Sequence, residues 1–426
     1  MNPLPQPAAP ARPVLAAFSG GLDSTVLLHW LATHPAMHGG LRAIHVDHGL
    51  HPDSSAWAAR CRETCAALGV PLEVVRVDVA RDSGHGPEAA ARAARHGAFV
   101  AALREGEVLA LAHHADDQAE TFLLRALRAS GPDGLAAMRP WLAYRGGWAW
   151  RPLLETPRTA LQRHALEHGL RWIEDPSNAD PSFDRNYLRH AVMPRLRERW
   201  PHADAAFAAS ARLAGEAADL LDAEDARLLA TLRAGGADTL ELSELLALPG
   251  ARRARVLRRW VAELGLPPLP ANGVARIEHE LLPARRDAEA EFAWAGARLR
   301  RWRDQLHAGR ASAPLPADWA TTWDGRAPLA LPGGGVLRLE GAAGFDAPLR
   351  VHARHGGERI ALPGRSHRHA LKHVLQDLGL PPWERERLPL LEDADGQLLA
   401  AGDRVIAAPL QAWLDARGAR LACAPR

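Results

Sequence analysis

The stretch LAAFSGGLDSTVLLHW, residues 15–30, decides how the first half of this chain is read. Val14 to Phe18 is a short apolar run followed by turn residues, which predicts a buried strand. Val26, Leu27, Trp30 and Leu31 then recur at helical spacing, with Asp23, Ser24 or Thr25 placed to cap the first turn. The fragment is therefore a strand, a tight glycine turn and a helix. The first amides of a helix lack internal partners and carry partial positive charge, so such a turn makes a cradle for phosphate. Gly20 and Gly21 keep side chains out of the cradle, and Ser19 and Ser24 add hydroxyls. No Gly-Lys-Ser/Thr follows the glycines, so this is not a Walker A loop. An acid, Asp23, stands where a base is expected, and its simplest use is to hold magnesium against the phosphates.

Outward from this stretch, short apolar runs at Leu41 to Val46, Leu72 to Val77 and Val108 to Ala112 alternate with helix-length segments. That alternation predicts an α/β fold, a parallel sheet covered by helices. SGGLDS, HVDHGL (45–50) and AHHADDQAET (112–121) each follow an apolar run directly, so three motifs meet at the carboxyl edge, where such sheets bind ligands. In AHHADDQAET, His113, Asp117 and Glu120 stand at i, i+4 and i+7. A helix starting there puts an imidazole and two carboxylates on one face, suited to a metal or a cationic substrate. His45, Asp47 and His48 crowd one strand end without the spacing of a tetrahedral metal set, and His45 is read as lining a nucleotide pocket.

SGGLDS matches the SGGxDS loop of the ATP pyrophosphatase superfamily. With HVDHGL, EAAARAARH (88–96), AHHADDQAET and DPSNADPSFDRNYLRH (175–190), it resembles the tRNA(Ile)-lysidine synthetase family. The resemblance runs through the first 200 residues and resumes near 348–410. It departs at His96, where the family usually has tyrosine, and at Ala129 in RASG, where RGSG is usual. It implies a PP-loop nucleotide-binding domain, followed by a helical domain and a small mixed α/β C-terminal domain. It also implies a two-step reaction in which ATP, held with Mg2+ by Ser19, Gly20, Gly21, Leu22, Asp23 and Ser24, adenylates the carbonyl oxygen at C2 of the wobble cytidine of a CAU-anticodon isoleucine tRNA. Free L-lysine then displaces AMP. Asp23, His113, Asp117 and Glu120 are the catalytic candidates. Arg92, Arg95, Arg185, Asn186 and Arg189 are candidates for holding ATP, lysine or tRNA. The family analogy leaves a homodimer or a monomer open.

The chain has 426 residues and 47% hydrophobic content, enough for two or three domains with real cores. The expected limits are 1–204 for the ATP-binding part, 205–310 for a helical part and 319–426 for the C-terminal part, with ASAPLPAD (311–318) as a linker. Net charge is only +2, but residues 252–303 hold 12 arginines against 6 acids. Within ARRARVLRRWVAEL, Arg252, Arg255 and Arg259 stand off the apolar face and are candidates for RNA contact. Of 52 basic residues a single one, Lys372, is lysine, which makes it a candidate for a site-specific contact with tRNA.

Three cysteines without a CxxC pair make no disulfide framework and point to a reducing cytoplasm. MNPLPQPAAPARP has no apolar signal core, and no run reaches the roughly 20 apolar residues of a membrane helix. Sulfur transfer by a tRNA thiolase needs reactive or paired cysteines, and a small-molecule amide ligase needs no basic helical domain. A non-enzymatic RNA binder that senses nucleotide would bind ATP without releasing pyrophosphate. These three are the competing readings.

Overall fold

The computed structural model describes residues 12–34, 40–49, 51–79, 87–144, 147–270, 272–285 and 290–425. The Pro-Ala amino terminus and Leu50 of HVDHGL lie outside the described residues. The chain folds as two compact units, 1–223 and 224–426.

The first unit runs β1 (Val14–Ala17), α1 (Leu22–Thr33), β2 (Leu41–Asp47), α2 (Ser54–Ala67), β3 (Leu72–Arg76), α3 (Pro87–Ala102), β4 (Val108–Ala110), α4 (Ala115–Ala126) and α5 (Pro132–Leu135). It continues through β5 (Trp141–Tyr144), β6 (Gly147–Trp150), α6 (Arg158–Glu167), α7 (Asp184–Tyr187), α8 (Met193–Arg199) and α9 (Ala203–Leu232). The four apolar runs became β1 to β4. The sheet order is β3-β2-β1-β4-β6-β5, parallel except for β5. The β5–β6 hairpin, which was not expected from the sequence, extends it. β1 pairs β2 on one side and β4 on the other, so the chain reverses its winding there and a crevice opens beyond Ala17. Val14 and Ala16 face a core with α1, α2 and α6, whereas Leu15 faces Phe99 of α3. Each fully buried leucine in these layers contributes about 1.5–3 kcal/mol.

The unit boundary falls inside α9, after residue 223, beyond the limit of 204 that composition suggests. The reason is ionic and polar: Arg139 donates to the Gly215 carbonyl (2.8 Å) and to Asp219 (2.6 Å), holding the first half of α9 to this unit.

The second unit begins with β7 (Thr239–Glu241), α10 (Leu242–Ala247), α11 (Gly250–Glu263), α12 (Gly273–Arg276), β8 (Glu291–Trp294), β9 (Ala297–Trp302) and β10 (Gln305–Arg310). The 205–310 stretch is helical up to Leu281 apart from β7, but its end forms an antiparallel sheet, β7-β10-β9-β8. Alternation in EFAW and ARLRRW, with Phe292, Trp294, Ala297 and Leu299 turned inward, outweighs the arginine-rich composition that reads as helix. Residues 311–318 are irregular, as a linker should be, yet Leu315 is buried against Leu331 and Ala353. Beyond them, mixed sheets built from short strands carry two further cores. We propose that the helical part and the C-terminal part divide at residues 311–318, on these separate cores.

Two departures from the family pattern have local explanations. His96 Nδ1 lies 2.8 Å from the Tyr144 hydroxyl and so ties α3 to β5. Ala129 sits at φ +54°, the left-handed region that suits the usual glycine. Ala129→Gly is expected to stabilise the protein by about 0.5–1 kcal/mol, read as a higher urea midpoint.

Where α1 meets α6, His29 Nδ1 lies 3.1 Å from His164 Nε2, and the His168 ring stacks on His164 at 4.1 Å. Burial, then the neighbouring imidazoles, push His29 down and His164 down to about 4. Below the unfolded value near 6.5 the unfolded chain binds protons that the folded one resists. Stability is therefore undiminished above about pH 6.5 and falls as pH drops toward 4. The melting temperature is expected to fall between pH 7.5 and 5, and His164→Gln to flatten that fall.

Candidate active site

Gly20, at φ +86°, makes the turn out of β1, and a Cβ there would lie 2.6 Å from Ile173 Cδ1 and 2.9 Å from Cys61 Sγ. Only glycine fits. Gly21 is the N-cap of α1 and gives no side-chain cap. Asp23, Ser24 or Thr25 was expected to cap this turn, but none does, and the Ser24 and Thr25 hydroxyls donate backwards to the Gly21 carbonyl at 3.0 and 2.9 Å. Ser19 Oγ meets Ser24 Oγ at 3.0 Å. Among the described residues nothing accepts from the amides of Leu22, Asp23 or Ser24. The anion cradle is open because its hydroxyls brace the loop.

His45 does not line this cradle. It is buried beneath it, Nδ1–H donating to the Phe18 carbonyl (3.0 Å) with Cys61 Sγ at 3.4 Å, so it supports β1 where the loop begins. Burial lowers its pKa and keeps it neutral. Burial also pushes the Cys61 and Cys65 thiols up to about 12 and about 11, so both are packing groups, not nucleophiles.

At the end of β4 the expected helix starts two residues late. His113 precedes α4, and His114 is its N-cap in a capping box: His114 Nδ1 accepts from the Asp117 amide, and the His114 amide donates to Asp117 Oδ2 (3.1 Å). His113 Nδ1 accepts from Arg151 Nε (3.2 Å). Burial first, then Arg151, Arg185 and Arg92, push His113 down to about 3, against the pull of Asp117. His113 is thus too weak a base for the proton-accepting role its spacing suggested. Its neighbour is the basic one. His114 is fully buried, with Nε2 3.6 Å from Asp23 Oδ2 and 3.4 Å from Asp117 Oδ2. Burial opposes its charge, but the nearby Asp23, Asp117 and Asp116 outweigh burial and raise its pKa. The doublet HH just ahead of an acidic helix start was the signal for this cap.

Asp117 and Glu120 do share a face of α4, but they are not bare. Arg185 reaches Glu120 Oε2 (2.7 Å) and Asp117 Oδ1 (2.8 Å), and Arg189 reaches Glu120 Oε1 (2.7 Å) and Asp117 Oδ1 (3.0 Å). The two arginines stand four apart, so the turn of α7 and the π-helical turn after it present both to the same acids. Burial alone would raise the Asp117 pKa. His114, Arg185, His113 and Arg189 together lower it. The result is a quartet in which two guanidinium groups face two carboxyl groups. Arg197 adds a second pair of bonds to Asp204 and lies 3.3 Å from Asp116.

Other candidates are placed elsewhere. Asn186 Nδ2 donates to the Ser177 and Asp180 carbonyls (3.0 and 2.9 Å), holding the DPSNAD turn instead of facing the quartet. Arg92 and Arg95 are exposed on α3. The Arg92 charge bears on His113, Arg125 and Arg151, and that of Arg95 on His48. In the second unit the expected basic face of α11 is largely neutralised. Arg252 pairs with Glu224 (3.1 Å), Arg255 with Asp225 (2.6 Å) and Arg259 with Glu263 (2.8 Å). Spacing placed these arginines off the core, but their acids come from α9 or from the next turn of the same helix. Lys372 is exposed on α13 (Leu371–Asp377).

Arg158, the first residue of α6, was not singled out by any spacing. Its amide donates to Asp116 Oδ1 (2.9 Å) and its Nε lies 3.8 Å from Asp23 Oδ1. Asp23 Oδ1, His114 Nε2 and Arg158 Nε are all shut from solvent without a hydrogen-bond partner. Such a knot of unsatisfied polar atoms beside three free amides is costly unless a ligand completes it.

Residues 2–196 match the PP-loop domain, 240–307 the TilS substrate binding domain and 349–423 the TilS substrate C-terminal domain. A tRNA(Ile)-lysidine synthase of Xanthomonas axonopodis pv. citri (strain 306) is 58% identical over 97% of this chain and 94% of its own length. The chain belongs to the tRNA(Ile)-lysidine synthase family. A second member of that family, from Xylella fastidiosa (strain Temecula1 / ATCC 700964), is 53% identical over 99% of this chain and 97% of its own. Among solved structures, the U34-tRNA thiolase NcsA from Methanococcus maripaludis covers 48% of this chain and 72% of its own at 17% identity (TM-score 0.40), too distant to bear on chemistry. As a tRNA(Ile)-lysidine synthase family member the protein is an enzyme that modifies tRNA and carries an ATP-using PP-loop domain. No helix among the described residues is long and apolar enough to cross a membrane.

Proposed function

We propose that this protein ligates free L-lysine to C2 of the wobble cytidine of the CAU-anticodon isoleucine tRNA, in the cytoplasm, as a monomer or homodimer, consuming ATP and releasing AMP and pyrophosphate. The observation that carries this reading is the uncapped first turn of α1, with the unpaired Asp23 Oδ1 beside it, set against the Asp117–Glu120–Arg185–Arg189 quartet through the shared neighbour His114.

In the first step the cytidine O2 attacks the α-phosphorus of ATP, and the bond to the β-phosphate breaks. The Leu22, Asp23 and Ser24 amides receive phosphate oxygens. Magnesium fits the donors here: Asp23 Oδ1 is shut from solvent without a hydrogen-bond partner beside the uncapped first turn of α1, and Mg2+ commonly takes one or two carboxylates plus substrate phosphates. Asp23 would supply that carboxylate, and the ion, when bound, would offset negative charge on the phosphates.

In the second step the lysine Nζ, as the free amine, attacks C2 and AMP departs with the former O2. A lysine amine near 10.4 costs about 4.6 kcal/mol to deprotonate at pH 7. Bare carboxylates would worsen this by stabilising the ammonium. Here Arg185 and Arg189 offset their charge, while Glu120 Oε1 accepts one bond, from Arg189, and Asp117 Oδ2 accepts one, from the His114 amide, which leaves acceptor capacity for the amine. The quartet orients the nucleophile without holding it as the ammonium. Orientation is worth about 7–11 kcal/mol, more than the deprotonation demands.

The buried thiols disfavour sulfur transfer. The test is incubation with CAU-anticodon isoleucine tRNA, ATP and labelled lysine. Label is expected in the wobble nucleotide, and its absence in the presence of all three substrates would refute the assignment.

A further inference from the structure

We propose that Arg158 is the cation of the phosphate loop, binding the β- and γ-phosphates of ATP and the pyrophosphate that leaves. This rests on the reading above that the loop of 19–24 cleaves ATP between its α- and β-phosphates.

The inference starts from a deficit of positive charge. A pyrophosphate group carries several negative charges, and Asp23 adds another within the same cradle. Backbone amides contribute only partial charge. Loops of the Walker type meet this demand with their own lysine, but this loop has none, and the one lysine of the chain is Lys372 in the second unit. A full positive charge must come from another element.

Four arginines stand around the acids of the site: Arg158, Arg185, Arg189 and Arg197. Three are committed. Arg185, Arg189 and Arg197 each donate to carboxylates at distances of 2.6 to 3.3 Å. The Arg158 guanidinium makes no hydrogen bond to any described residue. It approaches Asp23 Oδ1 only to 3.8 Å, outside bonding range, and its buried Nε has no partner. Its side chain is nonetheless 43% exposed, so the outer face of the guanidinium is turned to solvent while the inner nitrogen faces the loop. A planar fork held in this way matches the oxygens of a phosphate, which it binds in pairs.

The backbone holds that fork in place independently of any ligand. The Arg158 amide donates to Asp116 Oδ1, and Asp116 is in turn close to His114 and Arg197. The turn that starts α6 is therefore anchored to the start of α4, and α6 packs on α1 through Leu161 and Ala165. Replacing the Arg158 side chain leaves that amide bond intact, which makes the residue a clean target.

The test is binding of magnesium pyrophosphate alone to the full-length protein by calorimetry, with ATP kinetics beside it. Arg158→Gln is expected to weaken pyrophosphate at least tenfold and to lower kcat/KM for ATP about 100-fold, with KM for lysine unchanged. Arg158→Lys, which restores charge without the fork, is expected to recover part of both. A merely structural arginine would lower the melting temperature and leave pyrophosphate affinity untouched. If folded Arg158→Gln binds pyrophosphate and uses ATP as the wild type does, the proposal is wrong. A wild type that incorporates no lysine but binds pyrophosphate in an Arg158-dependent way would overturn the ligation reading and uphold this one.

Discussion

Asp23→Asn is expected to slow pyrophosphate release by about 1,000-fold or more while leaving the melting temperature nearly unchanged. The two effects separate because of how Asp23 is placed. Its Oδ1 has no hydrogen-bond partner, and its ionic contacts with His114 and Arg158 are long, 3.6 and 3.8 Å, so an amide of the same shape costs the folded state only those two weak contacts. What it removes is the carboxylate beside the open amides, to which the proposed function gives the task of holding Mg2+ against the phosphates. The measurement is pyrophosphate release coupled to a colorimetric phosphate assay, with a thermal melt on the same sample. A normal release rate in the Asn variant would refute the role given to the loop.

Glu120→Gln is expected to act in the opposite sense on stability. The Glu120 side chain is 3% exposed and accepts from both Arg185 and Arg189, so neutralising it leaves two arginines sharing the charge of Asp117 alone. Breaking a buried ionic set in this way costs about 2–3 kcal/mol where, as here, the arginines keep some contact with water. Adding Arg189→Gln to the same protein is expected to restore part of that loss, because the surplus positive charge goes with it. Lysine incorporation is expected to drop about 100-fold in the single variant, since the amine loses its orienting carboxylate, and not to return in the double. Urea unfolding and labelled-lysine transfer read the two quantities separately. An unchanged unfolding midpoint would show that the quartet is not coupled.

Several elements were legible before any coordinates. β1, the glycine turn and α1 were readable from residues 14–31 because strand and helix periods repeat every two and every 3.6 residues, and a turn needs glycine wherever the backbone must cross to positive φ. The gathering of three motifs at one sheet edge followed from each lying directly after an apolar run. Asp117 and Glu120 on one helix face followed from their spacing of three. The same reasoning misjudged His113 by two residues, because the position where a helix starts depends on which side chain caps it. In this protein His114 and Asp117 cap each other.

Local periodicity therefore settled the parallel sheet with its helices and the phosphate loop, and short motifs carried the family resemblance, all in residues close along the chain. Ionic partnership was decided by packing: which arginines neutralise Asp117 and Glu120, which of α11's arginines are already paired, and that the Arg158 guanidinium makes no hydrogen bond to any described residue. A Coulomb interaction depends on distance through space and on the water excluded along the way, and neither is written in the spacing of residues.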